Sequence, residues 1–309
     1  MTISSAASAI ETAPAQPSAG AARGARATGR PRPRGERGPL ASLLLHGGLV
    51  LAAAVAVFPV AWVLLISLGP KNAWQDPGLI LGHLGFGNYR ALLTGGGHEF
   101  LHWMGSSLLV AVATTVVGLL LSASAGYAVS RMRFPGHRPL MWMFLVTQMF
   151  PAAVLIVPLY NILAALNLLD TYQGLVLVYC TVSVPFSAWM LKGYFDTVPV
   201  EIDEAGRVDG LTPFGTFWRL VLPLSRPGIA VAAFYGFLTA WGEFAYANLF
   251  MSSDKYTLPV GIQTFATAER ADWNLVTPAA MIILIPAAVV FFLIQRHLAS
   301  GLTAGSTKG

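Results

Sequence analysis

Long apolar runs separated by short polar segments dominate this chain. Six runs come close to bilayer length: about Leu43–Leu68, Ser107–Val129, Leu140–Leu163, Gly174–Leu191, Gly228–Phe250 and Pro278–Arg296. A hydrocarbon core about 30 Å thick needs roughly 20 apolar residues at 1.5 Å per helical residue. The spacing therefore predicts an all-α polytopic membrane protein with six transmembrane helices. The fourth run is short, and the third carries Pro151 and Pro158. Proline inside a membrane helix predicts a kink, tolerated where neighbours satisfy the freed carbonyls. Kinks that line a cavity and kinks that only ease packing fit this pattern equally well.

The segments between the runs set the organisation. Residues 1–40 are rich in Ala, Gly, Pro, Ser and Arg with almost no large apolar side chains. Such a stretch buries too little to offset its ordering entropy, so a disordered tail is expected. The first apolar run is too long for a signal h-region. Lys and Arg then orient the chain. With both termini on the cytoplasmic side, 15 of the 19 basic residues fall inside, and only Lys71, Arg90, Lys255 and Arg270 fall outside. By the positive-inside rule this predicts a multi-pass membrane protein with both termini and the Asp196–Gly228 loop cytoplasmic. Two longer outside segments remain. Gly69–Phe100 is Gly-rich, and an amphipathic stretch (Tyr89, Leu92, Leu93, Phe100, Leu101, Met104) is expected to lie along the interface. Met251–Val276 is mixed, with Tyr256, Phe265 and Trp273 free to contact a partner.

Composition narrows the classes. Only 11% of residues are charged and the mean hydropathy is +0.63, against about 25% charged in soluble domains. The six Arg from Arg23 to Arg37 exceed the whole net charge of +5 and lie in the tail, so nucleic acid is not implied. A single cysteine, Cys180, excludes an internal disulfide and a Cys-cluster metal site. No pair among the six histidines has metal-ligand spacing. No GxxxxGKS phosphate loop or GxSxG nucleophile motif occurs.

The stretch from Asp196 to Gly228 concentrates charge and helix signals. Pro199 suits a first helical turn, and Glu201, Asp203 and Glu204 place negative charge where the macrodipole favours it. Ile202, Ala205, Val208 and Leu211 recur at helical spacing as one apolar face. Gly210 after Asp209 suits a left-handed C-cap, and Thr212-Pro213 reads as an N-cap with proline at the first helical position. Phe214, Phe217, Trp218, Val221 and Leu222 form a second apolar set that Pro223 ends. The result is a helix over Pro199–Asp209, a glycine bend, and a helix over Pro213–Leu222. Packing beneath the chain's own bundle accounts for the aromatics. It accounts less well for Glu204 and Arg207, whereas the small pair Ala205-Gly206 beside exposed charge suits close approach by another protein.

Glu204-Ala205-Gly206, then Gly210, then Leu220-x-Leu222-Pro223 resembles the EAA motif (EAA-x3-G-x9-I-x-LP) of permease subunits of binding-protein-dependent ABC importers. Gly206 replaces the Ala at the motif's third position, at a cost of about 1 kcal/mol in helix propensity, and Leu220 replaces Ile. The resemblance runs from about His102 to Arg296. The C-terminal GLTAGSTKG and the stretch TLPVGIQTF in the last outside loop are similar to MalG-type maltose/maltodextrin permeases.

The resemblance implies a type I importer transmembrane domain, divided as follows: tail 1–40, first span and outside loop 41–101, transmembrane domain 102–296 with its coupling loop at 196–228, and C-terminal tail 297–309. It implies no cofactor in this chain, ATP-Mg being bound by a partner ATPase, and no catalytic residue of its own. The implied partners are a second, MalF-like permease, a MalK-like ATPase dimer, an extracytoplasmic sugar-binding protein and membrane lipid. It gives Glu204, Ala205, Gly206, Asp209, Gly210, Leu220, Leu222 and Pro223 to ATPase coupling, and makes Gln263, Thr264 and Phe265 candidates for binding-protein contact.

Glu243 within AWGEFAYANLF is a candidate for the translocation pathway or a gate, because acids inside a membrane are costly. A hydrogen-bonded structural acid is the equal alternative. Asn248, Gln148, Asn161 and Thr147 are further polar candidates. Two other classes compete. An autonomous secondary carrier or channel predicts buried charge pairs or discontinuous spans. A membrane enzyme predicts clustered acids or histidines.

Overall fold

The computed structural model describes residues 39–80, 82–94, 98–266 and 271–303. The Arg-rich tail expected to be disordered lies outside these residues. In chain order the helices are α1 (Pro39–Leu68), α2 (Gly87–Thr94), α3 (His98–Arg131), α4 (His137–Thr147), α5 (Ala152–Ala165), α6 (Tyr172–Thr197), α7 (Val200–Val208), α8 (Pro213–Thr216), a π-helical turn (Phe217–Val221), α9 (Leu222–Leu224), α10 (Arg226–Trp241), α11 (Ala245–Phe250), α12 (Leu258–Gln263) and α13 (Trp273–Thr303). Two units divide the chain. The described part of the first, which ends at Val55, is the start of α1, with Leu43, Leu44, Val50 and Leu51 exposed. The second unit holds the helical bundle.

Four helices, α1, α3, α6 and α13, are each long and apolar enough to cross a membrane, and the number reaches six if two bent pairs each count as one span. One pair is the third apolar run. The kink expected there is a sharp one, with α4 and α5 meeting at 109°. Pro151 lacks an amide hydrogen and turns the residue before it away from helical geometry, so the chain corners there and α5 restarts behind an extended Pro151. The other pair joins Pro213–Leu224 to α10 at 86°. The fifth run also breaks further on, between Trp241 and Ala245.

The fourth run looked short because α6 is longer than its apolar stretch. It has 26 residues and is the most buried of the four long helices. Thr181 and Ser183 interrupt the hydropathy, yet each returns its hydroxyl to the helix's own backbone, on Val178 O and Tyr179 O. The amphipathic stretch near the second run is likewise split. Leu92 is buried within α2, whereas Phe100, Leu101 and Met104 belong to α3.

α3 lies along α6, and α10 packs against both. Two apolar clusters result. The larger joins Trp103, Val110, Tyr179, Phe237, Trp241 and Tyr246 with their neighbours. The smaller joins Tyr127, Leu191, Phe195, Phe217, Val221 and Ala232, and so ties the π-turn to α3, α6 and α10. Exposed Val112, Val116, Leu120, Ile285, Phe292 and Leu293 leave the outer faces of α3 and α13 apolar. A helix apolar on its inner and outer faces alike suits surroundings of protein and lipid rather than water.

Candidate functional site

α7 and the segment after it form the helix–bend–helix expected from the sequence. Gly210 has φ +80°, a conformation that costs a side-chain-bearing residue, and this turns the chain out of α7. Leu211 N–H closes the turn on Gly206 O at 2.9 Å. Thr212 Oγ1 then accepts from Gly215 N–H at 3.1 Å and caps α8, with Pro213 in its first turn. Pro223 cannot donate a backbone hydrogen bond, and the segment before it widens into the π-turn, where Leu222 N–H reaches Phe217 O.

The faces of α7 differ from the pattern expected. Ala205 and Val208 are exposed, Val208 at 88%, together with Glu204, Arg207 and Asp209. The inward residues are Asp203 and Gly206. Gly206 is therefore not an open platform for another protein. A Cβ there would lie 2.9 Å from Thr216 Oγ1 and 3.0 Å from Leu220 Cδ1, so the missing methyl is what lets α7 sit on the following segment. Leu220, Leu222 and Pro223 are half-buried. Of the aromatics expected to form the underside, only Phe217 is buried. Phe214 is 71% exposed and stacks on Trp218, also exposed, with centroids 6.1 Å apart.

The inward acid makes the tightest contact of the element. Asp203 Oδ2 accepts from Arg131 Nε at 2.8 Å, and Oδ1 accepts from Tyr127 OH at 2.6 Å. The Arg131 and Asp203 side chains are only 8% and 4% exposed. Arg131 Nη2 also donates to Val198 O, just before α7, at 2.7 Å. The end of α3 thus holds both the start and the body of α7. Next to it, Ser130 donates to Asp196 on α6, which also pairs with Lys192. Sequence reading missed this triad. Asp203 resembled any first-turn acid, and its cation lies 72 positions away.

Glu243 lies in the break between α10 and α11. Its Oε1 accepts from Tyr246 N–H at 2.9 Å and its Oε2 from Ala247 N–H at 3.2 Å, which caps α11 from one residue before the usual position. Buried Tyr179 on α6 donates its hydroxyl to Oε2 at 2.8 Å. The hydrogen-bonded structural role is therefore filled. The other polar candidates are exposed and follow separate paths. Gln148 donates to Val182 O, Thr147 to Phe144 O, and Asn161 and Asn248 lie on α5 and α11. Among the described residues no group of three or more His, Cys, Asp or Glu could hold a metal ion.

The segment after α11 is fastened to its own chain. Lys255 Nζ reaches Asp170 Oδ2 and Asp170 O, both at 2.8 Å, and Ser252 donates through its amide and its hydroxyl to Asp170 Oδ1. These donors, Lys255 first, hold the Asp170 carboxyl at about 2, below its ordinary 3.8. Leu258 N–H donates to Ser107 Oγ on α3 at 2.7 Å. Of the aromatics expected to be free for a partner, Phe265 packs on Trp103 at 5.6 Å and Trp273 on Trp74 at 6.2 Å. Gln263 and Thr264 remain exposed.

Comparison with known proteins matches residues 118–304 to the family described as "Binding-protein-dependent transport system inner membrane component". The trehalose transport system permease protein SugB of Mycobacterium tuberculosis is 34% identical over 262 residues, covering 84% of this chain and 95% of that protein. The galactooligosaccharides transport system permease protein GanQ of Bacillus subtilis is 32% identical, covering 86% and 96%. The maltose/maltodextrin transport system permease protein MalG of Salmonella typhimurium is 34% identical, with the same coverages of 86% and 96%. Among solved structures, a chain of a bacterial ABC transporter involved in the import of the acidic polysaccharide alginate superposes with a TM-score of 0.72 at 19% identity, covering 82% of this chain and 95% of that one. That likeness shows a shared fold.

Proposed function

The chain belongs to the inner-membrane components of binding-protein-dependent transport systems, and on that premise we propose that it is the permease subunit of an ATP-driven carbohydrate importer. It supplies half of a translocation pore whose other half is a second, MalF-like permease. A MalK-like ATPase dimer binds ATP-Mg and docks on the α7–α8 element, and an extracytoplasmic binding protein delivers the sugar. The excess of Lys and Arg around 196–228 favours a cytoplasmic position for that element, with both termini on the same side.

The observation that carries this reading is the division of α7 into two faces. One is anchored inward through Asp203 and Gly206, and the other presents Glu204, Ala205, Arg207 and Val208 outward. A helix fixed on one side and bare on the other suits transmission of a partner's movement. Coupling between two sites is a free energy, typically 1–3 kcal/mol, and a compliant contact dissipates it. Glu204 and Asp209 offer charge to the ATPase, Gly210 sets the turn, and Leu220, Leu222 and Pro223 join the element to the bundle.

Relatives whose names specify trehalose, galactooligosaccharides and maltose or maltodextrin support an oligosaccharide substrate, with maltose or maltodextrin the finer assignment. Exposed Gln148, Asn161 and Asn248 carry amides suited to a polyhydroxylated ligand, with Glu243 at the neighbouring helix break. Exposed Gln263 and Thr264, beside Phe265, suit contact with the binding protein.

Reconstitution of the chain with its partner subunits in vesicles tests the assignment. The expected results are ATP-dependent sugar uptake, and crosslinking of a Val208→Cys variant to the ATPase. Ion-driven uptake by this chain alone would overturn it. Calorimetry on the binding protein encoded beside it identifies the sugar.

A further inference from the structure

We propose that Asp203 is a positioning residue which, with Arg131 and Tyr127, locks α7 to the end of α3, so that α3 and the coupling element move as one body. The proposal rests on the reading of residues 196–228 as the coupling element. It adds which helix receives the movement, and through which atoms.

α7 has two attachments of different chemistry. Through Gly206 it rests on Thr216 and Leu220, and through the π-turn's Phe217 and Val221 on the cluster shared with α6 and α10. That contact is apolar and non-directional, so it tolerates sliding. The second attachment is ionic. Arg131 donates Nε to the Asp203 carboxylate and Nη2 to Val198 O, so one planar guanidinium spans the entry to α7 and its first turn. Tyr127, one turn earlier on α3, donates to the other carboxylate oxygen, while its ring meets Phe217 at 4.7 Å. Three donors in fixed directions define the register of α7 against α3 in a way that apolar packing does not. Buried ion pairs are poor sources of net stability, and specifying one arrangement is the use best attested for them. The remaining charged side chains of α7, Glu201, Glu204 and Arg207, are exposed, and of these Arg207 lies near enough for its charge to act on Tyr127. α3 then continues from this joint for its full 34 residues to the opposite end of the bundle, where Ser107 and Trp103 hold α12. A push on the exposed face of α7 thus has a stiff path to the far side.

The test uses the assembled importer in vesicles, with spin labels on Glu201→Cys in α7 and Leu120→Cys in α3, both exposed positions. Asp203→Asn keeps the shape and removes the charge. The expected result is a broadened label-to-label distance distribution and a fall of about tenfold in sugar moved per ATP hydrolysed, the size of a typical coupling term. Tyr127→Phe keeps the ring contacts and is expected to move both readouts the same way, by less. Arg131→Lys keeps the charge and is expected to retain more coupling than Arg131→Met. These two variants carry the test if Asp203→Asn does not reach the membrane. An unchanged distribution with unchanged sugar per ATP overturns the proposal. So does a lower yield of complex in which the surviving molecules couple normally, because that is the signature of a merely structural pair. If the wild-type chain assembles with no ATPase, the underlying reading fails, while the distance measurement on this chain still decides the lock.

Discussion

Two carboxylates, Asp203 within α7 and Glu243 at the break between α10 and α11, are held in opposite ways. Asp203 joins separate elements. Its partners come from α3, its side chain is buried, and one of those partners is a cation. Glu243 serves mostly its own segment. It caps the N–H groups of Tyr246 and Ala247 in the helix that follows and reaches across to a single neutral partner, Tyr179. The difference separates a joint from a terminus. An ion pair between elements fixes where one lies on the other, whereas a cap fixes where a helix starts. The two acids should therefore respond differently to the loss of a partner.

The largest effect is expected at the joint. Arg131→Met leaves Asp203 buried without its cation, which costs about 3–5 kcal/mol. Adding Asp203→Leu removes the uncompensated charge, and most of that loss should return. Thermal unfolding of the two singles and the double in one detergent closes the cycle. If the double is as unstable as the sum of the singles, Asp203 and Arg131 act independently and the contrast with Glu243 fails.

At the terminus, Glu243→Ala removes two caps and leaves the Tyr179 hydroxyl without its acceptor in a buried position. The expected cost is about 2 kcal/mol, the sum of a lost cap and one unsatisfied buried group. It should be local. Hydrogen exchange is expected to rise at Tyr246 and Ala247 and to stay unchanged at α7. Faster exchange spreading into α6 and α3 would make Glu243 a joint as well.

Between these lies the bend that releases α7. Gly210→Ala places a Cβ on a residue with φ +80°, which costs about 1–2 kcal/mol. A change in the Asp203–Arg131 pair is not expected, since a Cβ at Gly210 meets nothing within 4 Å. Urea unfolding measures the loss. A destabilisation comparable to Arg131→Met would mean that the turn and the joint cannot be separated.

What could be read from sequence follows the range of the interactions. The caps and the bend of the coupling segment depend on residues within four positions of each other, so Gly210, Thr212 and Pro213 announced them correctly. The apolar runs located the long apolar helices α1, α3, α6 and α13 for the same reason. Facing was misjudged where a polar or missing side chain did the packing. Asp203 and Gly206 turn inward while Val208 turns out, and hydropathy ranks those residues in the reverse order. The α4–α5 corner shows a related effect, because Pro151 and Pro158 look alike in sequence. Pro151 ends the path at a corner, while Pro158 rides within α5. The Tyr127–Asp203 and Tyr179–Glu243 contacts span 76 and 64 positions and left no local signature.

A third acid sets the lower limit of the comparison. Asp170 joins separate segments as Asp203 does, through Lys255 and Ser252, but in an exposed position. If burial is what makes the Asp203 joint strong, the Asp170 joint should be weak and open to solvent control. Its carboxyl titrates at about 2 in the folded chain against an ordinary 3.8. The group is stabilised in its charged form, so its contribution is complete above about 4 and is lost as pH falls from there towards 2. Over that window the amides of Ser252 and Lys255 are expected to gain exchange, while those of Asp203 and its neighbours keep their protection. Lys255→Met should reduce the pH step at these amides, leaving the part due to Ser252, with no measurable change in global unfolding, because exposed ion pairs contribute little. A global loss in that variant would mean that pairing between elements, and not burial, distinguishes a joint from a cap.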